Sequence, residues 1–322
     1  MAVKSTMFSM GTGLIYTQNT NAQGRKTGLV LDDRLMKHLI SPAHPESPAR
    51  YQKIKQSLDQ QGINTKTIAV KPISDVEPWL ALVHSQAHIN AIKAKSPETH
   101  NNVVIATAGV LSAIDQVCTA QINNAFCATR PPGHHALNTG KEEGFCYYNH
   151  IAIAARYAQQ KYQLKKVLIV DWDYHHGNGT EWAFYSDPDV LYFSTHDQFA
   201  YPGSGSPDKK GEGKGIGYNI NIHLGCGAND EDFIKVFQTR LVPAVEAFKP
   251  DLILISAGFD SREDDLLGCH TVSDQGFVQL TKIVMAMADK YCQGRVVSVL
   301  EGGYNINGTA SAVAAHITTM MV

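Results

Sequence analysis

Net charge is almost absent from this chain: 28 Lys and Arg against 30 Asp and Glu leave −2 over 322 residues. So even a balance gives no electrostatic ground for binding nucleic acid or an anionic membrane. Cysteine is sparse too, with six scattered residues (118, 127, 146, 226, 269, 292) and no C-x-x-C pair. That pattern excludes a structural zinc cluster and favours reduced, mostly buried thiols over a disulfide frame. The start of the chain lacks a basic and apolar leader, and no apolar run is expected to reach transmembrane length. A cytoplasmic location is the expectation. Internal repeats and linker-like stretches are missing as well. What remains is an ordinary globular composition, 43% hydrophobic and 18% charged, in a length that allows one large α/β domain or two smaller ones.

The most informative stretch is Lys165–Thr180. Val167 to Val170 is an apolar, β-branched run, the pattern of a buried parallel strand. It leads into Asp171, Asp173 and His175, spaced by two. Alternation along a strand would put all three on one face at its carboxyl end, where open α/β sheets bind ligands. Acidic and imidazole groups gathered there cost desolvation energy unless they are paired or hold a cation.

Along the chain, Gly13–Thr17 reads as a first strand, and Pro48 suits the first turn of a helix through Leu58. Trp79–Ala94 has helical spacing with His84 and His88 four apart, which suits surface or capping histidines better than a metal pair. A polar loop is expected over Lys95–Asn102 and a small-residue helix over Val104–Val117. Asn124–Thr129 reads as a strand delivering Arg130-Pro-Pro-Gly-His-His135, a rigid turn presenting two histidines. A helix is expected from about His150 to Gln160. Val190–His196, Tyr218–Leu224, Asp251–Asp260 and Arg295–Leu300 are further strands, with helices over Asp230–Phe248 and Phe277–Tyr291. The glycine-rich segment 201–217 has no strand feeding it and no Gly-Lys-Ser/Thr, so it reads as an ordered active-site loop and not a phosphate loop. Strands alternating with helices predict one parallel sheet covered on both faces.

Asp173, His175 and Asp260 have the number and type of ligands a catalytic zinc takes, and Fe²⁺ or Co²⁺ would also fit. The plainer alternative is a structural hydrogen-bond cluster. A metal that activates water needs a base, for which His134 and His135 are the candidates. Asp171 and the neutral Asn178 are placed to orient them. Tyr304, in the Gly302-Gly303 turn, can donate its phenol proton to a developing oxyanion. Such a set would hydrolyse an amide or an ester.

Arg130-Pro-Pro-Gly-His-His-Ala136, Gly144-Phe-Cys-Tyr-Tyr-Asn149, Asp171-Trp-Asp-Tyr-His-His-Gly-Asn-Gly179, Ala257-Gly-Phe-Asp260 and Glu301-Gly-Gly-Tyr-Asn305 resemble, in order and spacing, the signature blocks of the histone deacetylase superfamily. The resemblance spans roughly residues 30 to 310; Asn178 and the His44-Pro-Glu46 start resemble the class II branch and its bacterial relatives. It implies the single-domain arginase/deacetylase fold over residues 1–322, with a central, mostly parallel eight-stranded sheet and helices on both faces. It also implies Zn²⁺ on Asp173, His175 and Asp260, and His135 as the main general base and acid. His134, paired to Asp171, would give electrostatic support, and Tyr304 would polarise the acyl carbonyl. Branch members with His at the tyrosine position are poor deacetylases, so Tyr304 implies real activity. Gly144 and Phe145 match the tunnel that grips an acyl-lysine stem, with Tyr201 opposite. His44 and Pro45 stand near the substrate, and Arg50 matches the arginine of an internal channel. K⁺ is implied on Asp171, Asp173, His175, Ser194 and Thr195, and a second K⁺ on Phe184, Asp187, Val190 and Tyr218.

Leu267 falls where acetylpolyamine deacetylases of the superfamily carry an acidic gatekeeper, which favours an acetylated protein or peptide, although Glu263, Asp264 and Asp265 lie close. The first expectation is therefore a zinc-dependent N-acetyl-lysine deacetylase. The second is the same chemistry on a small acetylated amine, amide or ester. A third, of another class, is a catalytically weak acyl-lysine binding protein. A binuclear arginase-like site lacks the second carboxylate set. Neither nucleic acid nor membrane is expected as a partner.

Overall fold

Apolar β-branched runs become strands buried on both faces, because each can be covered only by helices from above and below. The computed structural model describes residues 24–322, so the strand expected over 13–17 lies outside the described residues. The strands are β1 (Thr27–Val30), β2 (Ile68–Ala69), β3 (Asn124–Cys127), β4 (Val167–Asp171), β5 (Val190–His196), β6 (Asn219–His223), β7 (Leu252–Ala257) and β8 (Val296–Leu300). They form one sheet in the order β2-β1-β3-β8-β7-β4-β5-β6. Every pairing is parallel.

Ten α-helices are seen among the described residues: α1 (Pro48–Gln60), α2 (Glu77–Leu80), α3 (Gln86–Lys95), α4 (Pro97–Cys118), α5 (His150–Tyr162), α6 (Asn178–Phe184), α7 (Asp230–Val236), α8 (Val242–Phe248), α9 (Asp274–Cys292) and α10 (Ile306–Met320). Alternation along β4 sorts its side chains between two layers. Leu168 and Val170 join the core built with α1, α9 and α10, whereas Val167 and Ile169 join the one built with α4 and α5. Burying each such side chain contributes about 1.5–3 kcal/mol, so truncating Ile169 would open a costly cavity.

Several local expectations are corrected. The helix expected across Trp79–Ala94 is two helices, because Ser85 caps α3 through the His88 amide and ends the run between His84 and His88. Both histidines are buried, not on the surface. The polar segment after Lys95 is already helical: Ser96 caps α4 and Pro97 takes its first turn, where a missing N–H costs nothing. At 22 residues α4 is also long and apolar enough to cross a membrane, contrary to expectation. Its most apolar window is 67% buried inside the fold, the signature of a core helix. A π-helical turn over Phe237–Leu241 interrupts the helix expected from 230 to 248.

Cysteine usage is corrected as well. Cys226 and Cys269 form a disulfide, while Cys118, Cys127, Cys146 and Cys292 are free. The segments around 227 and 270 run side by side, with the Gly227 amide donating to the Cys269 carbonyl (2.7 Å) and the Thr271 amide to the Ala228 carbonyl (2.8 Å). That brings the two Cα atoms to 5.0 Å across 43 residues of sequence, inside the range a disulfide spans.

Candidate active site

The carboxyl ends of β3, β8, β7 and β4, four adjacent strands in the middle of the sheet, converge on one edge. Strand β4 stops at Asp171, so the two-residue spacing beyond it is not strand alternation. The chain instead makes two successive side-chain turns: Asp171 Oδ1 accepts from the Asp173 amide (3.2 Å) and Asp173 Oδ1 from the His175 amide (2.9 Å). These turns separate roles that the spacing had grouped. Asp171 faces His134 and the Tyr192 hydroxyl, which donates to it at 2.9 Å. Asp173 and His175 face Asp260.

Asp173, His175 and Asp260 each offer a ligand atom, and the three atoms lie within 4.8 Å of one another. His175 Nδ1 is 3.2 Å from Asp173 Oδ1 and 3.0 Å from Asp260 Oδ2. Both carboxyl groups are fully buried. Burial works to lower the His175 pKa, but its bonds to the two carboxylates outweigh that and hold it up at about 10. Burial and the Asp173 charge push Asp260 upward. Two buried acids this close demand a positive charge between them, and the donor set of two carboxylate oxygens and one imidazole nitrogen fits a divalent metal. Gly302 leaves the room: a Cβ there would stand 2.0 Å from Asp260 Oδ2 and 2.7 Å from Asp173 Oδ2.

His134 and His135 follow the Pro131-Pro132-Gly133 turn. Glu301 anchors that turn, accepting from the Gly133 amide at 2.6 Å and the His134 amide at 3.2 Å. The two rings lie 4.0 Å apart but differ in charge. His134 Nδ1–H donates to Asp171 at 3.1 Å, and His135 Nδ1–H to Asn178 Oδ1 at 2.8 Å. Burial opposes protonation of both. For His134 the Asp173, Asp171 and Glu301 charges overcome it and raise the pKa to about 10. For His135 burial and the neighbouring cationic imidazoles push it well down. One imidazole is a fixed cation and the other a free base.

Above this floor is a cavity of about 630 Å³ walled by His135, Gly144, Phe145, Tyr174, Tyr201 and Tyr304, with Glu142, Glu143 and Leu267 toward the mouth. Gly144 sits against His135, where a Cβ would approach the ring to 2.4 Å. Tyr201 stands edge-on to His135 at 5.0 Å, and Phe145 edge-on to His44 at 4.5 Å. Pro45 is half-buried and does not line the cavity. Tyr304 is buried at the cavity wall, its amide held by Asp265 (2.7 Å) and its ring beneath the Arg50 guanidinium (4.9 Å). Burial, above all, keeps its phenol protonated by raising the pKa well above normal.

A family model described as "Histone deacetylase domain" matches residues 44–320. The chain belongs to the histone deacetylase family. Among its relatives, Histone deacetylase 15 of Arabidopsis thaliana is 35% identical over 98% of this chain and 61% of its own length. A "Probable deacetylase" of Archaeoglobus fulgidus is 35% identical over 88% of the chain and 82% of that protein. "Polyamine deacetylase HDAC10" of Mus musculus is 31% identical over 97% of the chain and 48% of its own length. The chain thus spans about three fifths of the first relative and half of the last. A crystal structure of the HDA15 HD domain superposes with a TM-score of 0.86 at 33% identity, covering 92% of this chain and 89% of that one. The chain has the α/β arginase/deacetylase fold.

The residues expected to hold potassium are placed as follows. Ser194 Oγ meets His196 Nδ1 at 2.8 Å, and the buried Thr195 hydroxyl has no partner among the described residues. Beside Phe184 and Asp187 stands Arg156, which pairs with the Asp187 carboxylate and lies 4.6 Å over the Phe184 ring. Sequence reasoning missed Tyr174 and the roles of Glu301 and Asp265. Tyr174 stacks edge-on against His175 at 5.0 Å, and its amide donates to Asp260 at 2.9 Å. Its place inside the Asp173–His175 motif was the available signal. It also missed that Glu142 and Glu143, not the 263–265 acids, reach the cavity wall.

Proposed function

We propose that the chain, acting over residues 1–322 as one catalytic domain, is a zinc-dependent deacetylase that hydrolyses the amide of N-acetyl-lysine in proteins or peptides. The observation that carries this reading is the Asp173–His175–Asp260 triad, its two carboxyl groups buried and its imidazole at the floor of a cavity that also presents the neutral His135 and the protonated Tyr304. When bound, zinc would polarise the acyl carbonyl and lower the pKa of water. His135 takes the proton from the attacking water and returns it to the departing lysine amine. His134, kept cationic by Asp173 and Asp171, faces the negative charge that develops. The Tyr304 phenol donates to the carbonyl oxygen as it becomes an oxyanion. Gly144, Phe145 and Tyr201 flank the aliphatic stem and keep water from it. Asp171, Ser194, Thr195 and the backbone at Asp173 and His175 would hold a K⁺ behind the triad, with Phe184, Asp187, Val190 and Tyr218 a second, where Arg156 competes. The partner is an acetylated protein or peptide, or a small acetylated amine, in the cytoplasm, with neither nucleic acid nor membrane.

A second reading, hydrolysis of an acetylated polyamine, is favoured by one observation: Glu142 and Glu143 line the cavity and make no ion pair among the described residues. Kinship with a protein named as a polyamine deacetylase points the same way, while the apolar Leu267 at the mouth points to peptide. The test is turnover of a fluorogenic acetyl-lysine peptide beside N-acetylputrescine, for wild type and Tyr304→Phe, with and without chelator. Peptide turnover that needs both metal and Tyr304 supports the first reading. Turnover of the polyamine alone selects the second. Binding of the peptide without turnover of either would replace both with an acyl-lysine binding protein.

A further inference from the structure

His84 and His88 take no part in the chemistry above, yet all four of their ring nitrogens meet one loop. His88 Nδ1 accepts from the Gly140 amide (3.0 Å), so its Nε2–H donates to the Tyr147 carbonyl (2.8 Å). His84 Nε2 accepts from the Asn149 amide (2.8 Å), so its Nδ1–H donates to the Asn138 side chain (3.3 Å). Asn138 in turn accepts from the Ser85 amide (2.9 Å) and donates to the Val83 carbonyl (3.2 Å). The rings stack at 4.8 Å, both are buried, and they hold opposite tautomers. Residues 138, 140, 147 and 149 are therefore fixed by two imidazoles on the α2–α3 turn and the start of α3.

Between those anchors, the bonds inside the loop fix its shape and not its position: Thr139 to Glu143 (2.8 Å), and Glu143 paired with Cys146. Its tip carries Gly144 and Phe145, the wall against His135, His44 and Tyr304. An ordinary core histidine satisfies itself with whatever packs nearby. Here both legs of one cavity-lining loop are bonded, and each bond spans more than fifty residues of sequence.

We propose that His84 and His88 are positioning residues that clamp the 138–149 loop and so set the Gly144–Phe145 wall at the spacing that grips the substrate stem. The role as a substrate wall rests on the deacetylase reading; the clamp itself does not. Amide hydrogen exchange and steady-state kinetics on His84→Ala, His88→Ala and His88→Asn test it. The Gly140 amide in His88→Ala and the Asn149 amide in His84→Ala should exchange about a hundredfold faster, while α4 amides stay protected. KM for an acetyl-lysine peptide should rise about tenfold with kcat within about twofold. His88→Asn, which keeps an acceptor near Nδ1, should restore the Gly140 protection. Unchanged exchange at Gly140 and Asn149 would overturn the clamp. So would a drop in Tm and kcat with KM unmoved in all three variants, the mark of plain core residues. A wild type inert toward acetyl-lysine would sink the deacetylase reading, and the exchange rates would still decide the clamp.

Discussion

The floor and the rim of the cavity are built on different principles. At the floor, Asp171, Asp173, His134 and Asp260 are buried, His175 opens only slightly to the cavity, and each is bonded to another member of the set. At the rim, Tyr201 is 47% exposed and Leu267 40%. Glu142 and Glu143 stand half-buried there without ion pairs among the described residues. Groups that must hold a metal and a charged imidazole need a dry, over-determined setting, because an unpaired charge there costs several kcal/mol. Groups that choose among substrates work in contact with water, where a single change shifts affinity and leaves the chemistry intact. Chemistry is fixed below and selection is loose above.

The largest effects should come from breaking the floor. A chelator, or Asp173→Asn, should abolish turnover measured with acetyl-lysine peptide. Tyr304→Phe and His135→Ala should each lower kcat about 10²–10³-fold, with the fold intact by circular dichroism. Acid should break the buried half next. Burial lowers His84 and His316 to about 3 and His150 to about 4. Their folded pKa values lie below the unfolded value of about 6.5. The stability they allow is therefore present above pH 6.5 and is lost as pH falls toward 4, since the unfolded chain binds the extra protons. Each should cost about 1.4 kcal/mol per pH unit in that window, read from urea midpoints against pH.

Smaller effects should come from the rim. Glu142→Gln with Glu143→Gln should raise KM about fivefold for a cationic acetylated amine and leave a neutral peptide unchanged. Raising salt should erase the difference. Equal effects on both substrates would mean that the carboxylates only shape the loop. Smallest of all, a non-reducing peptide map should join Cys226 to Cys269, and reduction should change KM less than about twofold because the link reaches the wall only through the contact of Cys269 Sγ with the Tyr174 hydroxyl at 3.2 Å.

Much of this was legible in the sequence. The strands β4, β5 and β7 open on continuous apolar runs that end in polar residues, and β8 is broken only by Ser298; such runs have no other way to bury themselves. The five motif blocks named the triad, both histidines and Tyr304. Less was legible where a polar residue does a structural task. Ser96 and Pro97 looked like a loop because caps and loops share a composition. His84 and His88 looked like a helical pair, but Ser85 between them caps a new helix.

Local pattern and chemistry thus determined the elements and the reacting groups, because hydrophobic period, turn residues and ligand type are written residue by residue. Only the tertiary structure decided which groups face each other. It joined Cys226 to Cys269, set His84 and His88 against the 138–149 loop, and put Glu142 and Glu143 in the wall where the nearer-looking acids at 263–265 are not. Those outcomes depend on contacts between residues far apart in sequence, 43 positions for Cys226 and Cys269 and 65 for His84 and Asn149, and on burial that raises or suppresses charge, which no local pattern encodes.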